Sequence, residues 1–135
     1  MDLINSVHIS AAGLAAQSAR LKVVAQNIAN AESVGTRAGA DPYRRQTVSF
    51  KNALDKETGE TMVRADKVSV DRSDFNKRYE PTNPEADAQG YVMYPNVNTM
   101  LEMVDMREAR RGYEANLNVI EASKSMFTDT LNLIK

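Results

Sequence analysis

Side chains that could do chemistry are few in this chain and badly placed for it. His8 is the only histidine and there is no cysteine, so a metal centre or a nucleophile–base pair lacks raw material. One residue away from an apolar helical stripe, His8 reads as a solvent-facing or hydrogen-bonded side chain. Glu85-Ala86-Asp87 brings two carboxylates close together. General acid–base work needs such a pair, but this one lies in a proline-rich loop with no apolar wall to set two acidities apart. Gly35 and Gly39 neither follow a strand nor open a helix, as a phosphate loop requires. Arg44-Arg45 and Arg110-Arg111 are the basic clusters, in a chain of net charge -1 with few aromatics. They read as salt-bridging residues, not as a nucleic-acid track. The expectation is a protein that is not an enzyme, with no catalytic, cofactor-binding or metal-binding residues, no small-molecule substrate and no nucleic-acid partner.

The elements must therefore carry the function themselves. With 135 residues the chain has the length of one domain, or a small domain with long appendages. No apolar run reaches the ~18 residues of a membrane span, so no membrane insertion is expected. The first basic residue is Arg20, and a cleaved signal peptide of the usual kind is not expected either.

The C-terminal third is the strongest pattern. Met106, Tyr113, Ile120, Phe127 and Ile134 fall seven apart, with Met103, Arg110, Leu117, Lys124 and Leu131 at the companion position. Apolar residues alternating four and three apart predict a helix with a narrow apolar seam. Pro95 precedes it, Asn96 or Asn98 can cap it, and Gly112 is its one weak point. A second stripe, Val119, Met126 and Leu133, suggests a second neighbour. Arg110 and Lys124 interrupt the seam, either as snorkelling stems or to orient a partner.

Residues 4–30 repeat the pattern. Val7, Leu14, Leu21 and Ile28 form one line, and Ile4, Ala11, Ser18 and Ala25 its companion. Asp2 or Asn5 can cap the start, and Gly13 admits a close helix neighbour. Two seams at the two ends of one chain invite pairing with each other. Between them the pattern shortens: Gln46–Phe50, Thr61–Arg64, Val68–Val70 and Tyr91–Tyr94 alternate as short strands, with a turn at Glu57–Glu60 and a loop at 80–90. The predicted fold is mainly α: long N- and C-terminal helices (1–32 and 97–135) packed as a coiled-coil-like pair, with a small β-rich and irregular central insert (33–96). Such an insert is too small for a deep pocket.

Ser10-Ala11-Ala12-Gly13-Leu14, Arg20-Leu21 and Asn27-Ile28-Ala29-Asn30-Ala31 resemble the N-terminal signature of bacterial flagellar axial proteins. Tyr113-Glu114-Ala115-Asn116 and Leu131-Asn132-Leu133 resemble their C-terminal signature. Asp41-Pro42-Tyr43-Arg44-Arg45-Gln46, Gly90-Tyr91-Val92, Pro95-Asn96-Val97-Asn98 and Glu102-Met103-Val104-Asp105-Met106 are similar to the basal-body rod proteins of the proximal rod. The family commonly has Thr at Ser33 and often His-Pro at Asn83-Pro84. The resemblance implies a structural subunit, exported through the flagellar type III apparatus without a cleaved signal peptide. It implies helical assembly, with other copies and other rod proteins, into the periplasmic shaft that transmits torque for motility. On that reading Val7, Ala11, Leu14, Ser18, Leu21, Ala25 and Ile28, with the C-terminal seam, form the assembly interface. The alternative is a soluble helical adaptor or export chaperone that binds partner helices through the same seams.

Overall fold

The computed structural model describes residues 2–37, 39–55 and 59–133. In chain order the elements are α1 (Asp2–Ala29), β1 (Gln46–Leu54), β2 (Thr61–Val70), β3 (Asn76–Tyr79), β4 (Tyr91–Tyr94) and α2 (Thr99–Leu133). Two long terminal helices and a small β insert are thus present, as the periodicities predict. The chain divides into two compact units. One comprises Met1–Leu21, Val48–Lys67 and Arg107–Lys135; the other comprises Lys22–Thr47 and Val68–Met106.

α2 starts where its cap dictates. The Asn98 Oδ1 accepts from the Met100 and Leu101 N–H groups at 3.1 and 3.4 Å, satisfying donors that have no partner inside the helix. Asn96 is spent elsewhere, as described below. Asn5 falls inside α1 and does not precede it. At 1.5 Å per residue α2 is ~52 Å long.

In the first unit the two helices meet antiparallel, but not through the expected seams. Ser6 Oγ lies 3.1 Å from Ser123 Oγ, and Arg20 reaches Glu108 at 3.4 Å. Gly13 faces the Asn116 side chain so closely that an added Cβ would sit 2.8 Å from its Nδ2, and Gly112 faces Gln17. Apart from Glu108, the line of contact therefore lies one residue ahead of the predicted seam on both helices. It is built from Ser6, Ser10, Gly13, Gln17 and Arg20 against Glu108, Ala109, Gly112, Asn116 and Ser123, with Ser10, Ala109 and Ser123 buried. Small side chains let two backbones approach to close packing, which bulkier residues would prevent. Coiled-coil-like pairing of the two apolar seams is not seen among these contacts.

β1 and β2 form a two-stranded sheet. Thr47 meets Ser69 and Ser49 reaches the Lys67 carbonyl, so the strands run antiparallel. β2 is one ten-residue strand where the sequence suggests two fragments. Of the turn expected at Glu57–Glu60, Glu57 and Thr58 lie outside the described residues. Gly59, at φ 73°, donates its N–H to the Asp55 carbonyl. In the second unit β3 pairs antiparallel with β4 in the register Asn76↔Tyr94, Lys77↔Met93, Arg78↔Val92 and Tyr79↔Tyr91. β3 has no apolar alternation and is not foreseen from sequence; its partner strand, with Val92 buried, creates it. Tyr79 and Tyr91 stack edge to face, centroids 5.3 Å apart.

Candidate assembly surface and a buried polar cluster

The second unit is built around Asn27, in the last turn of α1 and only 1% exposed. Its Nδ2 donates to the Gln46 carbonyl at 2.8 Å and to Glu102 Oε2 at 3.0 Å. Its Oδ1 accepts from the Gln46 N–H and from the Tyr43 hydroxyl, both at 2.9 Å. Two donors and two acceptor positions are all used, the full capacity of a carboxamide. By pairing both backbone groups of Gln46, Asn27 holds the first residue of β1 as a neighbouring strand would.

Glu102 lies in the first turn of α2 and is likewise 1% exposed. A lone carboxylate in such a place is costly. Here its second oxygen accepts from Arg45 Nε at 2.6 Å, and the positive end of the α2 dipole adds to the balance. Arg45 also approaches Asp71 at 3.6 Å and donates its backbone N–H to Asn96 Oδ1 at 2.8 Å. Asn96 Nδ2 in turn donates to Ser73 Oγ at 2.8 Å. The Ser73 N–H, then its hydroxyl, holds the Asp71 carboxyl below the usual range, with Arg45 contributing. Burial, followed by the nearby Glu102 charge, pushes the Tyr43 phenol up.

Other signature residues have local structural work. Asn30 Nδ2 donates to the Gln26 carbonyl at 2.8 Å and its Oδ1 accepts from Ser33 Oγ at 3.1 Å. This closes the C-terminal end of α1, and a threonine hydroxyl would serve equally. Asn116 Nδ2 donates to the Gly112 carbonyl. Asn83 bridges Glu80 and the Glu85 N–H. Arg44 lies over the Phe75 ring at 4.0 Å. Arg45 is the salt-bridging arginine foreseen, and Arg110 meets Glu114 on the surface.

The carboxylate pair of the 80–90 loop is a turn. Asp87 Oδ1 accepts from the Tyr91 and Gln89 N–H groups, and these bonds, Tyr91 foremost, hold its carboxyl below the usual range. The adjoining cavity, lined by Gly35, Arg37, Asp87 and Tyr91 among others, measures about 20 Å³, space for about one water. His8 is exposed. Among the described residues no group of three or more His, Asp or Glu could hold a metal ion, and no helix is long and apolar enough to cross a membrane.

The predicted assembly residues do not form a core. Along α1, Val7, Leu14, Leu21 and Ile28 are half-buried, while Ala11, Ser18, Ala25 and Ala29 are exposed. Along α2, Met106 and Ile120 are half-buried; Met103, Arg110, Tyr113, Ala115, Leu117, Lys124, Phe127 and Leu131 are exposed. Phe127 and Leu131 stand 53% and 49% open. Ile134 lies outside the described residues. Val119, Met126 and Leu133 are exposed as well. The Asn27–Glu102–Arg45 cluster is not visible to a periodicity search. Its sequence signal is that Asn27, Arg45 and Glu102 each lie in one of the signature runs, which mark the residues without pairing them.

Two family models match the chain: one described as flagella basal body rod protein over residues 8–35, and one described as flagellar basal body rod FlgEFG protein C-terminal over residues 88–133. The flagellar basal-body rod protein FlgC of Agrobacterium fabrum is 50% identical, across 94% of this chain and 91% of its own length. FlgC of Salmonella typhimurium is 44% identical across 98% of each chain. FlgC of Bacillus subtilis is 36% identical across the whole of both. The matched segments contain both ends of the buried cluster, Asn27 and Glu102, and most of the exposed apolar stripes on both helices. The chain belongs to the FlgC family of flagellar basal-body rod proteins.

Proposed function

We propose that this chain is a subunit of the proximal rod, the periplasmic drive shaft, and that it assembles helically through the apolar stripes of α1 and α2. As a flagellar rod protein it is a structural part and not an enzyme. The observation that carries the mechanism is that the α2 stripe stays largely open after the chain has folded, while the main α1 line is half-buried. Phe127 and Leu131 are about half exposed, and Met103, Tyr113 and Leu117 are exposed beside Arg110 and Lys124. Covering a large apolar side chain is worth about 1.5–3 kcal/mol in full. Each half-exposed one therefore keeps on the order of 1 kcal/mol in reserve for a neighbour. Other copies and other rod proteins are the partners. Delivery uses the flagellar export apparatus, which suits a chain that folds where it assembles.

Phe127→Asp with Leu131→Asp tests this reading. The purified variant should unfold within about 0.5 kcal/mol of the parent, as surface changes do. Basal bodies examined by electron microscopy should lack a completed rod, and the cells should not swim. Completed rods and normal motility with this variant would end the proposal.

A further inference from the structure

Besides the open α2 stripe, the first unit carries a surface of the opposite shape. Ala12, Ala15 and Ala16 stand i, i+3 and i+4 along α1 and so share one of its faces. Together with residues 62–65 of β2 they line an open groove of about 380 Å³. Ala16 and Met62 are buried at its base, while Ala15 and Val63 are exposed. Alanine keeps the groove empty, because no longer side chain reaches out from the helix to fill it. The charged residue lining it is Arg64, which is exposed and makes no ion pair among the described residues.

We infer that this groove receives the α2 stripe of a second copy of the chain, with Phe127 and Leu131 seated between α1 and β2. The inference rests on the assembly proposed above and names the surface that the stripe meets. An apolar cavity of roughly 150 Å³ holds a benzene-sized ring, so this groove has space for a phenylalanine ring and a leucine side chain together. Phe127 and Leu131 are one turn apart on one face of α2 and about half exposed, which makes them a ridge. Charge selects the direction. α2 has no basic residue in its last turn, so the negative end of its dipole is not balanced there. Arg64 of the receiving copy supplies that cation. Lys124, the cation within the stripe, stands seven residues before Leu131, ~10 Å back along the helix, and clear of Arg64. Ridge and groove are different surfaces of the same unit, so the contact is head to tail. Each copy then offers its groove to one neighbour and its ridge to the next, and such a contact repeats without having to close on a pair.

Photo-crosslinking in basal bodies tests this, using the full chain with p-benzoylphenylalanine in place of Phe127 or, separately, of Leu131, both exposed positions. Mass spectrometry of the two-chain product should place the new bond on residues 12–16 or 62–65 of a second copy. Ala15→Trp fills the groove from an exposed position. It should abolish that product while the purified chain keeps its circular dichroism and its urea midpoint. Arg64→Leu should lower the yield about two- to fivefold, and Arg64→Lys should restore it. A bond to a different rod protein, or to another surface of the second copy, overturns the inference. So does absence of the product from both probe positions, or a yield indifferent to Ala15→Trp. If Phe127→Asp with Leu131→Asp stops rod completion while the bond falls elsewhere, assembly through the stripe stands and only the groove is refuted.

Discussion

Asn27→Ala is the sharpest test of how the second unit is held together. The substitution removes four hydrogen bonds at once and strands their partners: Gln46 N–H and carbonyl, the Tyr43 hydroxyl and one oxygen of Glu102. A stranded buried group costs about 1–3 kcal/mol, more when charged. Gln46 and Tyr43 are half-buried, so water repairs part of their loss, whereas Glu102 is 1% exposed and gains no such relief. The expected destabilisation is about 3–5 kcal/mol, against a total of roughly 7–20 kcal/mol at the usual per-residue stability for this length. Urea unfolding followed by circular dichroism, with the slope compared between variants, measures it. Asn27→Asp separates chemistry from packing. Nearly the same size, it loses both donated bonds and sets a second carboxylate against Glu102, so it should be at least as damaging as alanine. A loss below about 1 kcal/mol for alanine, with aspartate milder still, would refute the reasoning.

Gly13→Ala in the parent should be close to neutral. The ~1 kcal/mol gained in helix propensity is offset because the new Cβ would lie 2.8 Å from Asn116 Nδ2 and displace its bond to the Gly112 carbonyl. In an Asn116→Ala background the same change should stabilise by about 1 kcal/mol; equal effects in both backgrounds would show that the two residues do not compete. Tyr43 gives an alkaline signature. Its phenol is raised above the ordinary 10.0 by burial and by Glu102. The stability this contributes is complete below pH 10.0 and is lost as pH climbs through the higher folded value. Denaturation midpoints measured across that range should fall less in Tyr43→Phe than in the parent, and parallel curves would exclude the role given to Tyr43.

What could be read before folding was whatever repeats locally. Heptads at Val7–Ile28 and Met103–Leu131, with no proline inside either run, specify two helices. The alternation around Val48 and Val92 specifies strands, because helix and strand periods are properties of neighbouring residues. β3 escaped because Asn76, Lys77 and Arg78 offer no apolar alternation and depend on β4 to be strands at all. The candidate surface was legible as a set of stripes, while the cluster that positions the second unit was not. Glu102 lies 57 positions from Arg45 and 75 from Asn27, and although each falls in a signature run, nothing in those runs pairs them.

The sequence by itself determined two helices with an apolar stripe each, a small β insert, and the absence of residue sets for catalysis. Which stripe turns inward was decided only in three dimensions. Close approach of two backbones favours Gly13, Gly112, Ala109 and the serines at the contact, since the larger residues would hold the helices apart. The more hydrophobic stripe beside it is therefore left on the flank or in the open. Burying Glu102 likewise required Arg45 and Asn27 to arrive together from distant segments, because a carboxylate enters the interior only where partners already satisfy it.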